Sequence, residues 1–184
     1  MEIKITHRVT PIPAARVESC WAAAAEMLYD GARPRAAQWP RSTTASEPGA
    51  DGKSSPPLPP HQSACTLPQF AREWGLEILP PQDWTPTRLA HALTPRPLWA
   101  GAYLPNGHAM VLCGLFGDGS PGGTYVTALD PWPADTGTVH RLPYAVWAQR
   151  YSLQTMHVLY RPAPAWTPRS ATLPFAHEFV FGED

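Results

Sequence analysis

The chain has 184 residues, with 15 acidic and 14 basic side chains and a formal net charge of −1. That balance excludes the basic footprint of a nucleic-acid binder and offers no electrostatic hold on an anionic membrane. The length suits a single domain with appendages, and no run reaches the ~18 continuous apolar residues of a membrane-spanning helix.

The first ten residues are mixed charged and polar, so no secretory signal is expected. Within residues 3–12, Ile3, Ile5 and Val9 suggest a short strand ended by Pro11 and Pro13. Next comes Ser19-Cys20-Trp21 followed by four alanines, Glu26, Met27, Leu28, Tyr29, Asp30 and Gly31. The alanines favour a helix, Ser19 suits its N-cap and Gly31 its stop. Trp21, Ala24, Ala25 and Leu28 fall on one face. Residues 32–64 carry clustered prolines with Ser, Thr, Ala and Gly and keep no apolar period, so they read as a long insertion.

Leu67 to Trp74 reads as a short helix stopped by Gly75, and Leu76 to Leu79 as a strand. Thr85 and Pro86 open another helix, as N-cap and first helical residue, running to about Leu93. Leu98 to Tyr103 reads as a buried strand. The pattern then turns to β: Gly107 to Phe116 and Thr124 to Leu129 are apolar runs joined by the turn-rich 117–123 segment. A short helix from Pro143 to Gln149 and a late strand from Thr155 to Tyr160 follow. A proline-rich extension begins at about residue 162 and the tail to 184 ends with Phe175, Phe179 and Phe181. The expected class is α+β.

The three cysteines, Cys20, Cys65 and Cys113, are an odd number, which argues against a full disulfide framework and fits a reduced compartment or one reactive thiol. Cys20 stands out. It lies at the start of the best helix, where unpaired backbone N–H groups and the helix dipole favour an anion, and the thiolate is the nucleophilic form of cysteine. If the two β runs pair about a turn centred near residue 119, His108 falls opposite Asp130, on one face of the sheet. A half-residue shift of that turn would pair His108 with Leu129 instead, so the inference depends on register. A cysteine at a helix start with a carboxylate-oriented histidine is an activated-nucleophile arrangement.

Cys113, inside an apolar run, reads as a buried structural thiol. Cys65 reads as a bystander, with a disulfide to another cysteine as the alternative. His91, His140 and His157 read as ordinary surface or core histidines. A zinc site from Cys20, Cys113 and His108 matches no compact zinc module. The glycine-rich 117–123 run lacks the lysine and following helix of a phosphate loop.

Ser19-Cys20-Trp21-Ala22-Ala23 resembles the Cys-Trp-Ala motif of papain-like cysteine peptidases. It is similar above all to their compact bacterial branch of effector and toxin proteases, related to the peptidase domains of bacteriocin exporters. Gly107-His108-Ala109-Met110-Val111 resembles that branch's Gly-His strand, and Leu129-Asp130-Pro131-Trp132-Pro133 its Asp-Pro-Trp segment. The resemblance covers roughly residues 9–160. It implies a papain-like fold, with an N-terminal helical part carrying Cys20 packed on an antiparallel sheet carrying His108 and Asp130. It also implies a Cys20, His108, Asp130 set that hydrolyses peptide bonds of a protein substrate without metal or organic cofactor. Trp21, Ala14 and Trp132 become candidate substrate-binding or oxyanion positions.

One departure stands out. The family has a glutamine six residues before the nucleophile, whose side chain helps hold the oxyanion. Here the context Pro11-Ile12-Pro13 is kept and Ala14 follows. Losing one oxyanion donor commonly lowers the rate by ~10²–10³-fold. Arg16, Gln38 and Gln62 are candidate replacements, beside the backbone N–H of Cys20. The bacterial branch further implies delivery by a specialised system, often on a larger carrier, into a target cell's cytoplasm, with an immunity protein as partner at home. Residence in the producing cell's cytoplasm, an amidase or deamidase using the same site, and a catalytically weak binding module are the alternatives. The expected organisation is one domain over 1–184, with the 32–64 insertion and the 162–184 extension.

Overall fold

The computed structural model describes residues 2–14, 20–30, 67–102, 108–150 and 156–163. The expected insertion over 32–64, the C-terminal extension beyond Ala163, Cys65, Ser19 and Gly31 lie outside the described residues.

Among the described residues there are seven strands and four helices: β1 (Ile3–Thr6), α1 (Cys20–Met27), α2 (Leu67–Trp74), β2 (Glu77–Ile78), α3 (Pro86–Leu93), β3 (Leu98–Ala102), β4 (His108–Gly117), β5 (Thr124–Asp130), β6 (Thr138–Pro143), α4 (Tyr144–Arg150) and β7 (His157–Tyr160). The class is α+β, and every strand pairing is antiparallel. The sheet runs β2-β7-β3-β4-β5-β6, with β1 also on β4. The long β4 serves two partners along one side: His108 to Leu112 pair with β3, and Gly114 to Gly117 pair with β1.

Local chemistry explains the helix ends. Thr85 caps α3, its hydroxyl accepting from the Arg88 N–H, and Pro86 sits where no N–H is needed. Gly75 ends α2 in the left-handed region at φ +60°. Its N–H donates to the Arg72 carbonyl, and that of Leu76 to Ala71, which caps the helix in a Schellman arrangement. After α1, the chain turns through Leu28 and Tyr29 to Asp30, which itself adopts φ +52°.

β6 is absent from the sequence expectation. It is an edge strand, and Thr138, Val139 and Arg141 are exposed on both of its faces, so no apolar alternation marks it. The first strand is shorter than the Ile3–Ile12 window that suggested it.

The sheet separates two apolar clusters. One gathers Leu89 and Leu93 of α3, Tyr144 and Trp147 of α4, and Leu98, Met110, Leu112, Val126 and Ala128 of the sheet. The other gathers Cys20, Ala24, Ala25 and Met27 of α1, Phe70 and Trp74 of α2, and Trp99, Ala109, Val111, Cys113 and Leu129 of the sheet. Strand alternation sends successive β4 residues to opposite clusters.

Candidate active site

The β4–β5 hairpin closes where Gly117 pairs with Thr124, so its loop is centred later than the position near residue 119 expected from sequence. Inside the loop, Asp118 accepts from the Ser120 N–H, the Ser120 hydroxyl accepts from the Gly123 N–H, and Thr124 accepts from the Gly119 N–H. These side-chain bonds hold a wider turn than glycine content alone suggests.

Continued without interruption, that register would set Asp130 opposite Val111, on the other face from His108. The ladder instead shifts between Leu112 and Gly114. Cys113 is the extra residue of a β-bulge. Beyond it, Leu112 pairs with Ala128 and Val111 with Leu129. The next position sets Asp130 opposite Met110, with His108 two residues along on the same face. The two side chains are therefore diagonal neighbours rather than directly opposed, which corrects the expected pairing and keeps the expected face. His108 Nε2 donates to Asp130 Oδ1 at 2.7 Å. Diagonal positions on one face lie within reach of long side chains.

Cys20 is the other group close enough to act on His108, and it is among those that raise the imidazole pKa. Cys20 is buried with the α1 cluster, whereas His108 shares its face with Met110, and the two groups are near enough at the start of β4 for Cys20 to influence the imidazole. Because Nε2 serves the carboxylate, Nδ1 is the ring nitrogen left for the thiol. Burial alone pushes the His108 pKa down. The hydrogen bond to Asp130 and the influence of Cys20, together with their negative charges, outweigh it and raise the value to about 10. Asp130 shifts oppositely: burial pushes its pKa up, but His108, the Trp132 N–H and His140 hold the carboxyl below its ordinary range.

His140 was expected to be an ordinary histidine. The structure brings it from β6 to the other oxygen of Asp130, Nε2 to Oδ2 at 3.2 Å. No spacing rule pointed to it, because the strand carrying it has no apolar signature.

Ala14 is 1% exposed. Its N–H donates to the Pro131 carbonyl at 2.9 Å and its carbonyl accepts from the Asp135 N–H at 3.3 Å. The Pro11-Ile12-Pro13-Ala14 segment is thus clamped onto the loop that follows Asp130, but a methyl side chain donates no hydrogen bond. Gly137, at φ +63°, permits this close packing: a Cβ there would lie 3.0 Å from the Asp130 carbonyl oxygen. Arg16, Gln38 and Gln62 lie outside the described residues.

Trp21 packs edge-on against Phe70 with ring centroids 5.2 Å apart, and its carbonyl accepts from Trp99 Nε1 at 3.0 Å. Trp132 is 40% exposed beside Asp130, and its backbone N–H donates to Oδ1 at 2.9 Å. Cys113 is buried at the bulge, and burial raises its pKa to about 11, as suits an unreactive thiol. Among the described residues no group of three or more His, Cys, Asp or Glu side chains is arranged to hold a metal ion. None of their helices is long and apolar enough to cross a membrane.

The family described as the papain-like cysteine protease AvrRpt2 matches residues 5–141, well over half of the chain. The chain belongs to this family. The matched span contains Cys20, His108, Asp130 and His140. No curated protein and no solved structure matches the chain. Membership in this papain-like cysteine protease family agrees with the helices packed on an antiparallel sheet.

Proposed function

We propose that the chain hydrolyses peptide bonds of a protein substrate, with Cys20 as nucleophile, His108 as base and then acid, and Asp130 as the group that orients His108. The observation that supports this reading is the His108–Asp130 hydrogen bond, with Cys20 among the groups that raise the His108 pKa, in a member of a cysteine protease family. With a pKa near 10, His108 can hold the proton that the leaving amine requires. Sγ bonds to the substrate carbonyl carbon, and His108 gives its proton to the leaving amine as the C–N bond breaks. Water, deprotonated by His108, then cleaves the thioester and frees the thiol. The Cys20 backbone N–H supplies part of the oxyanion hole.

The resemblance of the Cys20, His108 and Asp130 segments to the compact bacterial branch supports an effector or toxin role inside a target cell, with an immunity protein as partner. Ala14 specifically favours a second reading, a slow enzyme or binding module, because it lacks the donor that the family carries there.

Wild type and Cys20→Ala, each incubated with bacterial lysate, are compared by mass spectrometry for new protein N-termini and for deamidated side chains together. New termini made only by wild type are expected. Deamidation without cleavage moves the reading to a deamidase. Identical profiles for the two proteins reject a Cys20-dependent activity on proteins.

A further inference from the structure

The carboxylate of Asp130 is held from both sides. Oδ1 accepts from His108 Nε2 at 2.7 Å and from the Trp132 N–H at 2.9 Å, while Oδ2 accepts from His140 Nε2 at 3.2 Å. The register explains the symmetry. His140 pairs with Ala128 and Thr138 with Asp130, so His140 is diagonal to Asp130 from β6 as His108 is from β4. The three side chains share one face of three adjacent strands. A carboxylate only accepts, so both imidazoles carry a proton on Nε2.

We propose that His140 is a positioning residue of this site, holding Oδ2 so that Oδ1 stays aimed at His108. The terminal torsion of an aspartate is broad and roughly two-fold, so a carboxylate anchored at one oxygen can swing or exchange its oxygens. An anchor on the second oxygen removes that freedom. The location makes the anchor necessary: β6 is a sheet edge, and the side chains of His140 and Asp130 keep 24% and 10% of their surface exposed. Without the imidazole, Oδ2 opens to water and the orientation of His108 slackens. His140 acts through Asp130 and touches neither thiol nor substrate in this scheme. The inference rests on the proposed roles of Cys20, His108 and Asp130.

The test compares His140→Ala, His140→Gln and His140→Asn with wild type. The first readout is the rate at which iodoacetamide alkylates Cys20 at mildly acidic pH, followed on the Cys20 peptide by mass spectrometry. The second is kcat against KM on a cleaved substrate. Glutamine carries an N–H donor at about the reach of the imidazole Nε2, whereas asparagine reaches only as far as Nδ1. His140→Ala is expected to slow Cys20 alkylation and lower kcat about tenfold, the scale of one hydrogen bond to a charged group, with KM unchanged. His140→Gln is expected to recover most of both rates and His140→Asn little. A folded His140→Ala with wild-type rates overturns the proposal. So do Gln and Asn variants that behave alike, since packing alone would then account for the position. If His140→Ala does not fold, the Gln and Asn pair, matched for thermal stability, carries the test. Wild-type Cys20 alkylating no faster than in the denatured chain removes the nucleophile reading, and this inference with it. That outcome is distinguished because it appears in wild type alone.

Discussion

The two faces of the sheet are built from similar residues and do different work. The face under α3 and α4 is closed by Leu89, Leu93, Leu98, Leu112 and Trp147, all essentially inaccessible. The face under α1 and α2 is aromatic and carries both described cysteines, with Phe70 packed against Trp21, Trp74 and Trp99. The candidate site belongs wholly to neither. Its thiol comes from the α1 face, and its imidazole and carboxylate come from strand positions of the opposite parity, so the site lies at the end of β4 where the two meet. A sheet can thus devote one face to apolar burial and still supply titratable groups from its strand ends, where side chains reach past the covered surface.

Substitutions on the two sides test this division. Cys20→Ala is expected to lower turnover by at least roughly 10⁴-fold with little change in stability, as for loss of a nucleophile. Leu89→Ala, under the other face, is expected to lose about 2–5 kcal/mol of stability in denaturant melts, with activity per folded molecule unchanged. Activity loss at Leu89 matching that at Cys20 would show that the faces are not independent.

The next effect is at the junction. Asp130→Ala is expected to lower kcat/KM about 10²-fold. It also removes a leading cause of the raised His108 pKa, so the alkaline limb of the pH–rate profile moves down from about 10. The stability signs follow. The His108 contribution is fully present below its ordinary value of 6.5 and is lost as pH rises through about 10. The Asp130 contribution is present above its ordinary value of 3.8 and is lost as pH falls through its lowered folded value. Wild type therefore holds both between 3.8 and 6.5, and Asp130→Ala flattens that pH dependence. An unmoved alkaline limb would falsify the coupling.

Smaller changes sharpen the comparison. Ala14→Gln is expected to raise kcat, by up to roughly 10²-fold, by returning a side-chain donor to the clamped segment. A fall in kcat would mean that this buried position has no room for the longer side chain. Cys113→Ala is expected to cost about 1 kcal/mol in thermal or denaturant unfolding and to leave kcat nearly unchanged, because the bulge is a backbone feature.

The start of α3 and the stop of α2 were legible because they depend on near neighbours. Thr85-Pro86 opens α3, and Gly75 closes α2, by local hydrogen bonds and backbone sterics that any context would preserve. Cys20 in the first turn of an alanine-rich helix, and His108 within the apolar run expected from Gly107, were legible from local composition. The register was not. The polar 118–123 loop is stabilised by its own side chains, and the bulge at Cys113 restores the parity that this longer loop would otherwise break. Two departures from the expected geometry therefore cancel, and His108 meets Asp130 on the expected face by a diagonal route.

Sequence by itself determined the helices, every described strand but β6, the apolar runs of the sheet, the family motifs and the identity of the candidate thiol, imidazole and carboxylate residues. Those depend on local propensity and on the chemical identity of single side chains. Tertiary structure alone decided that His140 from an edge strand holds Asp130, that Ala14 is clamped by Pro131 and Asp135, and that Cys20 comes near enough to influence the imidazole at the start of β4. These contacts join residues from separate strands and loops. They are set by bulges, strand order and packing, which sum contributions from the whole chain and leave no periodic trace in any one segment.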